Sequence, residues 1–136
     1  MSKTSSIKKR WATWVSIVLI IVGLGFGVKM LPSGYSEDLS VIGSGKNVVV
    51  LVHNKEGVRS LNLMNQVDAI RDNYNGRIEF RIAESGTPKG AEFVQRNMVG
   101  DAMLVLFKGD GTTVGKLIIR DSPEELAKTL EQTFGL

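Results

Sequence analysis

The chain has 136 residues, 43% of them apolar and 23% charged, which leaves room for one domain plus a short extra segment. With no cysteine, disulfides, thiol catalysis and cysteine metal sites are excluded, and a single histidine argues against a zinc site built from protein ligands alone. The formal charge of +3 belongs to the N-terminus: five of the 17 basic residues precede Leu31, which leaves 12 against all 14 acidic residues, about −2. A domain of that sign lacks the basic face that nucleic acid requires, so no nucleic-acid partner is expected.

Residues 1–10 read as a basic N-terminus containing Lys8, Lys9 and Arg10. Trp11–Val28 is an uncharged run of 18 residues, followed by Lys29. At about 1.5 Å per residue it is just long enough to cross a hydrocarbon core, so residues 11–30 are expected to form one transmembrane helix. The positive-inside rule puts the N-terminus in the cytoplasm of a single-pass protein of the inner or plasma membrane, with the domain in the periplasm or outside. Trp11 and Trp14 suit the cytoplasmic interface. A cleaved signal peptide is the competing reading: Gly25 and Gly27 are small enough for a cleavage site, but no Ala-x-Ala is present and the run is long for that purpose. Gly23 and Gly27 stand at GxxxG spacing, which would let this helix pack closely on another in the membrane. Residues 31–35, with Pro32, Ser33 and Gly34, read as a linker, and 36–136 as the domain.

Ser36, Glu37 and Asp38 predict the start of a short helix reaching Ser44. Asn47–His53 is apolar and β-branched and predicts a buried strand. The polar turn Asn54–Gly57 leads into a helix from Val58 to Tyr74, whose predicted core stripe is Val58, Leu61, Met64 or Asn65, Val67 and Ile70. Asn75-Gly76 stops it, and Arg77–Ala83 alternates as a strand with one wetter face. Pro88 opens a third helix with Ala91, Phe93, Val94 and Met98 as its apolar stripe. Ala102–Phe107 is a further buried strand, turned by Gly109-Asp-Gly111 into Thr112–Ile119 as a hairpin. Ser122-Pro-Glu-Glu125 is a strong helix start, with Leu126, Leu130 and Phe134 facing the core. The helical crossover makes the first two strands parallel and the hairpin makes the last two antiparallel. The fold class is therefore α/β, a mixed four-stranded sheet flanked by helices and preceded by one transmembrane helix.

That order resembles thioredoxin. Asn73-Tyr-Asn-Gly-Arg-Ile78 looks like the helix end and second central strand of that family. Gly100-Asp-Ala-Met-Leu-Val-Leu-Phe-Lys-Gly109 looks like its Gly-x-Pro-Thr segment and following strand, and Ser122-Pro-Glu-Glu125 looks like the start of its last helix. The resemblance covers residues 36–136 and implies a thioredoxin-like fold. It departs at every part of the redox machinery. The Cys-Gly-Pro-Cys position falls on Gly57-Val58-Arg59-Ser60, the preceding tryptophan is Glu56, the buried acid is Leu51 and the cis-proline is Ala102. A non-proline cis bond costs about 2.5–4 kcal/mol, so a trans peptide is expected there. Without a thiolate there is no thiol–disulfide exchange. A redox-inactive member is implied.

His53, Ser60 and Asp68 invite a hydrolase reading, but Ser60 and Asp68 lie two turns apart on one helix and would not converge on a strand-end histidine. Gly109–Thr112 lacks the acids of a calcium loop. Thr87–Gly90 has only the anion affinity that every helix start shares. No cofactor motif is present. Lys55, Glu56, Gly57, Val58 and Arg59, beside Asp101 and Ala102, would occupy the surface where thioredoxins grip peptide substrates, and these are the candidate partner-binding residues. The expected function is non-catalytic: a membrane-anchored protein working through protein–protein interaction, as accessory subunit or assembly factor of a membrane complex, its partner another membrane or membrane-proximal protein. The alternatives are an enzyme of non-redox chemistry near His53, and a secreted binding protein released by signal cleavage.

Overall fold

The computed structural model describes residues 10–19, 34–118 and 122–136. The chain divides into two units, Met1–Gly34 and Tyr35–Leu136. In the first, residues 10–19 are helical and exposed throughout, Trp11, Trp14, Val18 and Leu19 included. No helix among the described residues is long and apolar enough to cross a membrane. Residues 20–30 of the expected span, with Gly23 and Gly27, lie outside the described residues, as do 31–33 of the expected linker.

The second unit is built on strand β1, Asn47–His53. Its residues from Val48 to His53 are all buried, because helices or loops cover both faces of the sheet and β1 has a neighbour on each side. Helix α1 runs over Val58–Ile70 and tightens into a 3-10 turn at Arg71–Tyr74. Strand β2, Ile78–Glu84, pairs parallel with β1, Asn47 opposite Ile78 and His53 opposite Glu84. Helix α2, Pro88–Asn97, leads to β3, Met103–Phe107, which pairs antiparallel with β1. Strand β4, Thr113–Ile118, returns antiparallel beside β3, and helix α3, Pro123–Phe134, closes the chain. The sheet order is β2-β1-β3-β4.

The pleat of β1 sorts the core into two layers. Val49 and Leu51 pack with Leu63, Val67 and Ile70 of α1, Tyr74 of the 3-10 turn, and Leu126 and Leu130 of α3. Val48, Val50 and Val52 pack with Phe93, Val99 and Phe107 beneath α2, with Leu39, Val41 and Ile42 alongside. The rings of Phe93 and Phe107 meet edge to face at 6.1 Å.

Helices α2 and α3 start as their sequences dictate. Thr87 Oγ1 accepts from Gly90 N at 3.1 Å and Ser122 Oγ from Glu125 N at 3.3 Å, each with proline in the first turn. The Thr87 cap thus takes up a backbone donor of the helix start considered above for anions. Gly90 is required where it stands: a Cβ there would lie 1.6 Å from the Glu84 carbonyl oxygen.

Three expectations are corrected. The first helix does not form. Residues 40–45 are turns, because local side chains compete for the backbone: Ser36 Oγ accepts from Asp38 N and Asp38 Oδ1 from Ser40 N. Gly43 and Gly45 take positive φ, and Ser36 instead bridges to Arg81 on the outer side of β2. The core stripe of α1 is Ser60, Leu63, Val67 and Ile70; Val58 and Leu61 are 74% and 54% exposed. Met98 leaves the apolar stripe of α2, ends that helix at φ 52° and is 83% exposed, while Val99 is buried in its place.

Candidate functional site

The turn after β1 and the loop before β3 are held side by side at one end of the sheet. Asn54 organises the first. Its Oδ1 accepts from Glu56 N at 3.0 Å, a local turn that asparagine favours. Its carbonyl accepts from Gly57 N at 3.0 Å, and its own N donates to Ser60 Oγ at 3.1 Å. Its Nδ2 reaches across to Asp101 Oδ2 at 2.9 Å. Ala102 N donates to Val52 O at 3.0 Å, which ties the second loop to β1. Of the expected partner-binding residues, Arg59 lines one groove with Asp101 and Ala102, and Lys55, Glu56, Gly57 and Val58 stand in the chain between it and Asn54.

Gly57 is the N-cap of α1 in extended conformation, with no side-chain cap, and Val58 follows in the first turn, exposed. Arg59, Asn62, Asn65 and Gln66 of α1 form one wall of a groove of about 720 Å³, and Asp101, Ala102, Met103 and Ile118 form the other. Ala102 has φ 59°, and no cis peptide occurs among the described residues. A proline ring cannot adopt that φ. The alanine therefore carries the loop along a different path from the one a proline would give.

The polar residues that might suggest catalysis each have a partner outside that set. Ser60 is buried and its Oγ is engaged by Asn54 N. Asp68 accepts from the Tyr35 hydroxyl. His53 is buried opposite Glu84, with Nδ1 at 2.7 Å from Glu84 Oε1. No group of three or more metal-ligating side chains gathers among the described residues. Asp110, in the β3–β4 turn, accepts from Thr112 N, which holds its carboxyl below the usual range.

Sequence reasoning missed Asn54, whose signal was an asparagine two residues before Glu56 in a turn. It also missed the groove wall of Asn62, Asn65 and Gln66, for which the only signal was a run of amides at i, i+3 and i+4 on a helix.

No protein-family model and no curated protein sequence matches the chain. Among solved structures, oxidised thioredoxin O2 from Arabidopsis thaliana is similar, with a TM-score of 0.57 at 13% identity over 68% of this chain and 83% of that one. At that identity the likeness is one of fold, and it agrees with the parallel β2–β1 pair, the β3–β4 hairpin and the helices on both faces. Residues 35–136, which contain no cysteine, carry a thioredoxin-like α/β fold.

Proposed function

We propose that this protein is a redox-inactive, membrane-anchored thioredoxin-like protein that acts by binding another protein at the end of the sheet formed by residues 54–59 and 100–102, as an accessory subunit or assembly factor of a membrane complex. One observation carries the binding reading. Val58, beside the turn after β1, is 74% exposed, and Ile118, in the groove wall, is 64% exposed, both large apolar side chains left to solvent near this end of the fold. Exposed apolar groups beside mixed charges, here Arg59 and Asp101 of the groove, are characteristic of protein-interaction sites. The absence of a thiolate removes the fold's usual chemistry and leaves recognition.

Anchoring rests on the uncharged run Trp11–Val28 and the basic residues before it. Full-length protein should remain in the membrane fraction after alkaline washing, and its intact mass should retain the N-terminal residues; loss of about 25 residues would refute the anchor. Solubilised mildly and sized, it should elute with a stoichiometric membrane or membrane-proximal protein. Val58→Asp places a charge in the centre of the surface at an exposed position, so stability should change by no more than about 0.5 kcal/mol while the partner is lost. Co-elution unaffected by Val58→Asp would refute this surface.

A further inference from the structure

We infer that the cleft between helix α2 and the strap of residues 37–42 is a binding site for a small zwitterion with an apolar body, its cationic end toward Glu37 and Asp38 and its anionic end toward Lys89. The cleft shares no residue with the groove of Arg59 and Ile118, so the inference stands apart from the proposed partner surface.

The cleft is held open by the way its strap is fastened. At the start of the strap, Ile82 N donates to Ser36 O at 3.1 Å and Arg81 Nε donates to Asp38 O at 3.1 Å, which ties it to β2. Beyond its end, Gly45 N donates to Gly109 O at 2.9 Å, and the backbones approach so closely that a Cβ on Gly109 would lie 2.8 Å from the Gly45 carbonyl oxygen. Fastened on both sides, the strap is kept from collapsing onto α2. A cavity of about 610 Å³ remains between them, a size common to small-molecule sites.

The lining divides by chemistry. Leu39 and Ile42 of the strap are half-buried and backed by the buried rings of Phe93 and Phe107, and these four make the apolar part. Lys89, Glu92 and Arg96 of α2 line the cleft, three and four residues apart on one helical face. Glu92 and Arg96 neutralise each other as an ion pair. Lys89 and Glu37 are exposed and make no hydrogen bond or ion pair among the described residues. Asp38 is a settled carboxylate: the bond from Ser40 N at 3.0 Å first, and then Arg81 and Lys89 nearby, hold its carboxyl below the usual range. One wall therefore offers two carboxylates and the other an unpaired ammonium, with apolar side chains between them. A polyanion would meet Glu37 and Asp38, and a wholly apolar molecule would leave all three charges uncompensated. A molecule with one charge of each sign and an apolar body satisfies every part. An apolar amino acid and a zwitterionic phospholipid share that chemistry.

The test uses the full chain in amphipol, with leucine and isoleucine methyl groups labelled for NMR. L-Phenylalanine should shift the methyl signals of Leu39 and Ile42 and leave those of Leu61 and Ile118 in place. Phenethylamine, which lacks the acid, should bind more weakly, and 3-phenylpropionate, which lacks the amine, more weakly still, because carboxylates outnumber the free cation. Glu37→Gln and Lys89→Gln, both at exposed positions, should each weaken phenylalanine about three- to tenfold. Lys89→Gln should leave phenethylamine undiminished, a result that a merely structural role for Lys89 would not give. Dihexanoylphosphatidylethanolamine is titrated in parallel, and the tighter of the two zwitterions assigns the source as soluble or lipid. The inference is overturned if neither zwitterion moves Leu39 or Ile42, if both substitutions leave affinity unchanged, or if 3-phenylpropionate binds as tightly as phenylalanine. None of these outcomes alters the co-elution expected of Val58→Asp, so the two readings fail separately.

Discussion

Ala102 holds a left-handed backbone conformation at φ 59°, which a β-carbon makes unfavourable by roughly 1–2 kcal/mol. The bonds from Ala102 N to Val52 O and from Asn54 Nδ2 to Asp101 Oδ2 hold it there. Strain retained beside a candidate binding surface fits a loop whose path is set by what it must present. Ala102→Gly should therefore stabilise the protein by up to about 1 kcal/mol in urea titrations, glycine's greater freedom in the unfolded chain offsetting part of the relief. Ala102→Pro should destabilise it, since the ring fixes φ near −65° and removes the N–H that reaches Val52. If the proline variant were as stable as wild type, the left-handed path would be refuted. Little of this was legible beforehand. The sequence marks Ala102 as a missing proline, but the sign of φ depends on contacts from residues some 50 positions away.

At the scale of elements, the starts of α2 and α3 were readable because their signals are local: a hydroxyl cap, a proline and, for α3, a glutamate within four residues. The buried face of α1 was not. Val58 and Leu61 fit a helical apolar stripe as well as Leu63 does, and only the packing of α1 between β1 and α3 decides that Ser60 goes inward. The first helix failed for a related reason, since Ser36 and Asp38 turn their cap-forming oxygens to bonds within the loop. The seating of α2 on β2 is a matter of backbone contact. Gly90→Ala would force the Glu84 carbonyl and the first turn of α2 apart, at a cost of about 1–3 kcal/mol or more, seen as a lowered urea midpoint. An unchanged midpoint would mean that α2 has room to lift.

For the whole molecule, two tyrosines join parts distant in sequence. The Tyr74 hydroxyl donates to Glu131 Oε1 at 3.0 Å, linking the end of α1 to α3, and the Tyr35 hydroxyl donates to Asp68. Burial first, and then the carboxylate that accepts the proton, pushes both phenols above their ordinary 10.0. Because the folded state holds these protons more tightly, their contribution is complete below about pH 10 and is lost as pH rises toward the folded values. Stability should fall above pH 10 with a slope up to about two protons steeper than in a Tyr35→Phe, Tyr74→Phe double variant. Equal slopes in urea titrations across that range would show that the phenols are not linked to folding.

Tyr35 and Ser36 also decide how the domain bears mechanical load. A pull along the chain from residue 34 first meets the Tyr35 ring, with the Arg71 guanidinium 4.6 Å from its centre and the hydroxyl on Asp68, and then the Ser36 bridge and Ser36 O accepting from Ile82 N at 3.1 Å. These contacts lie outside the main sheet, and ten residues of turn and loop separate Ser36 from β1. Tension is therefore taken up at the outer side of β2 and by the packed, hydrogen-bonded turns of 37–46, before it reaches the central strand. The end of the fold proposed to bind a partner, attached to the other end of β1, can keep its shape while the N-terminal side of the domain is under strain.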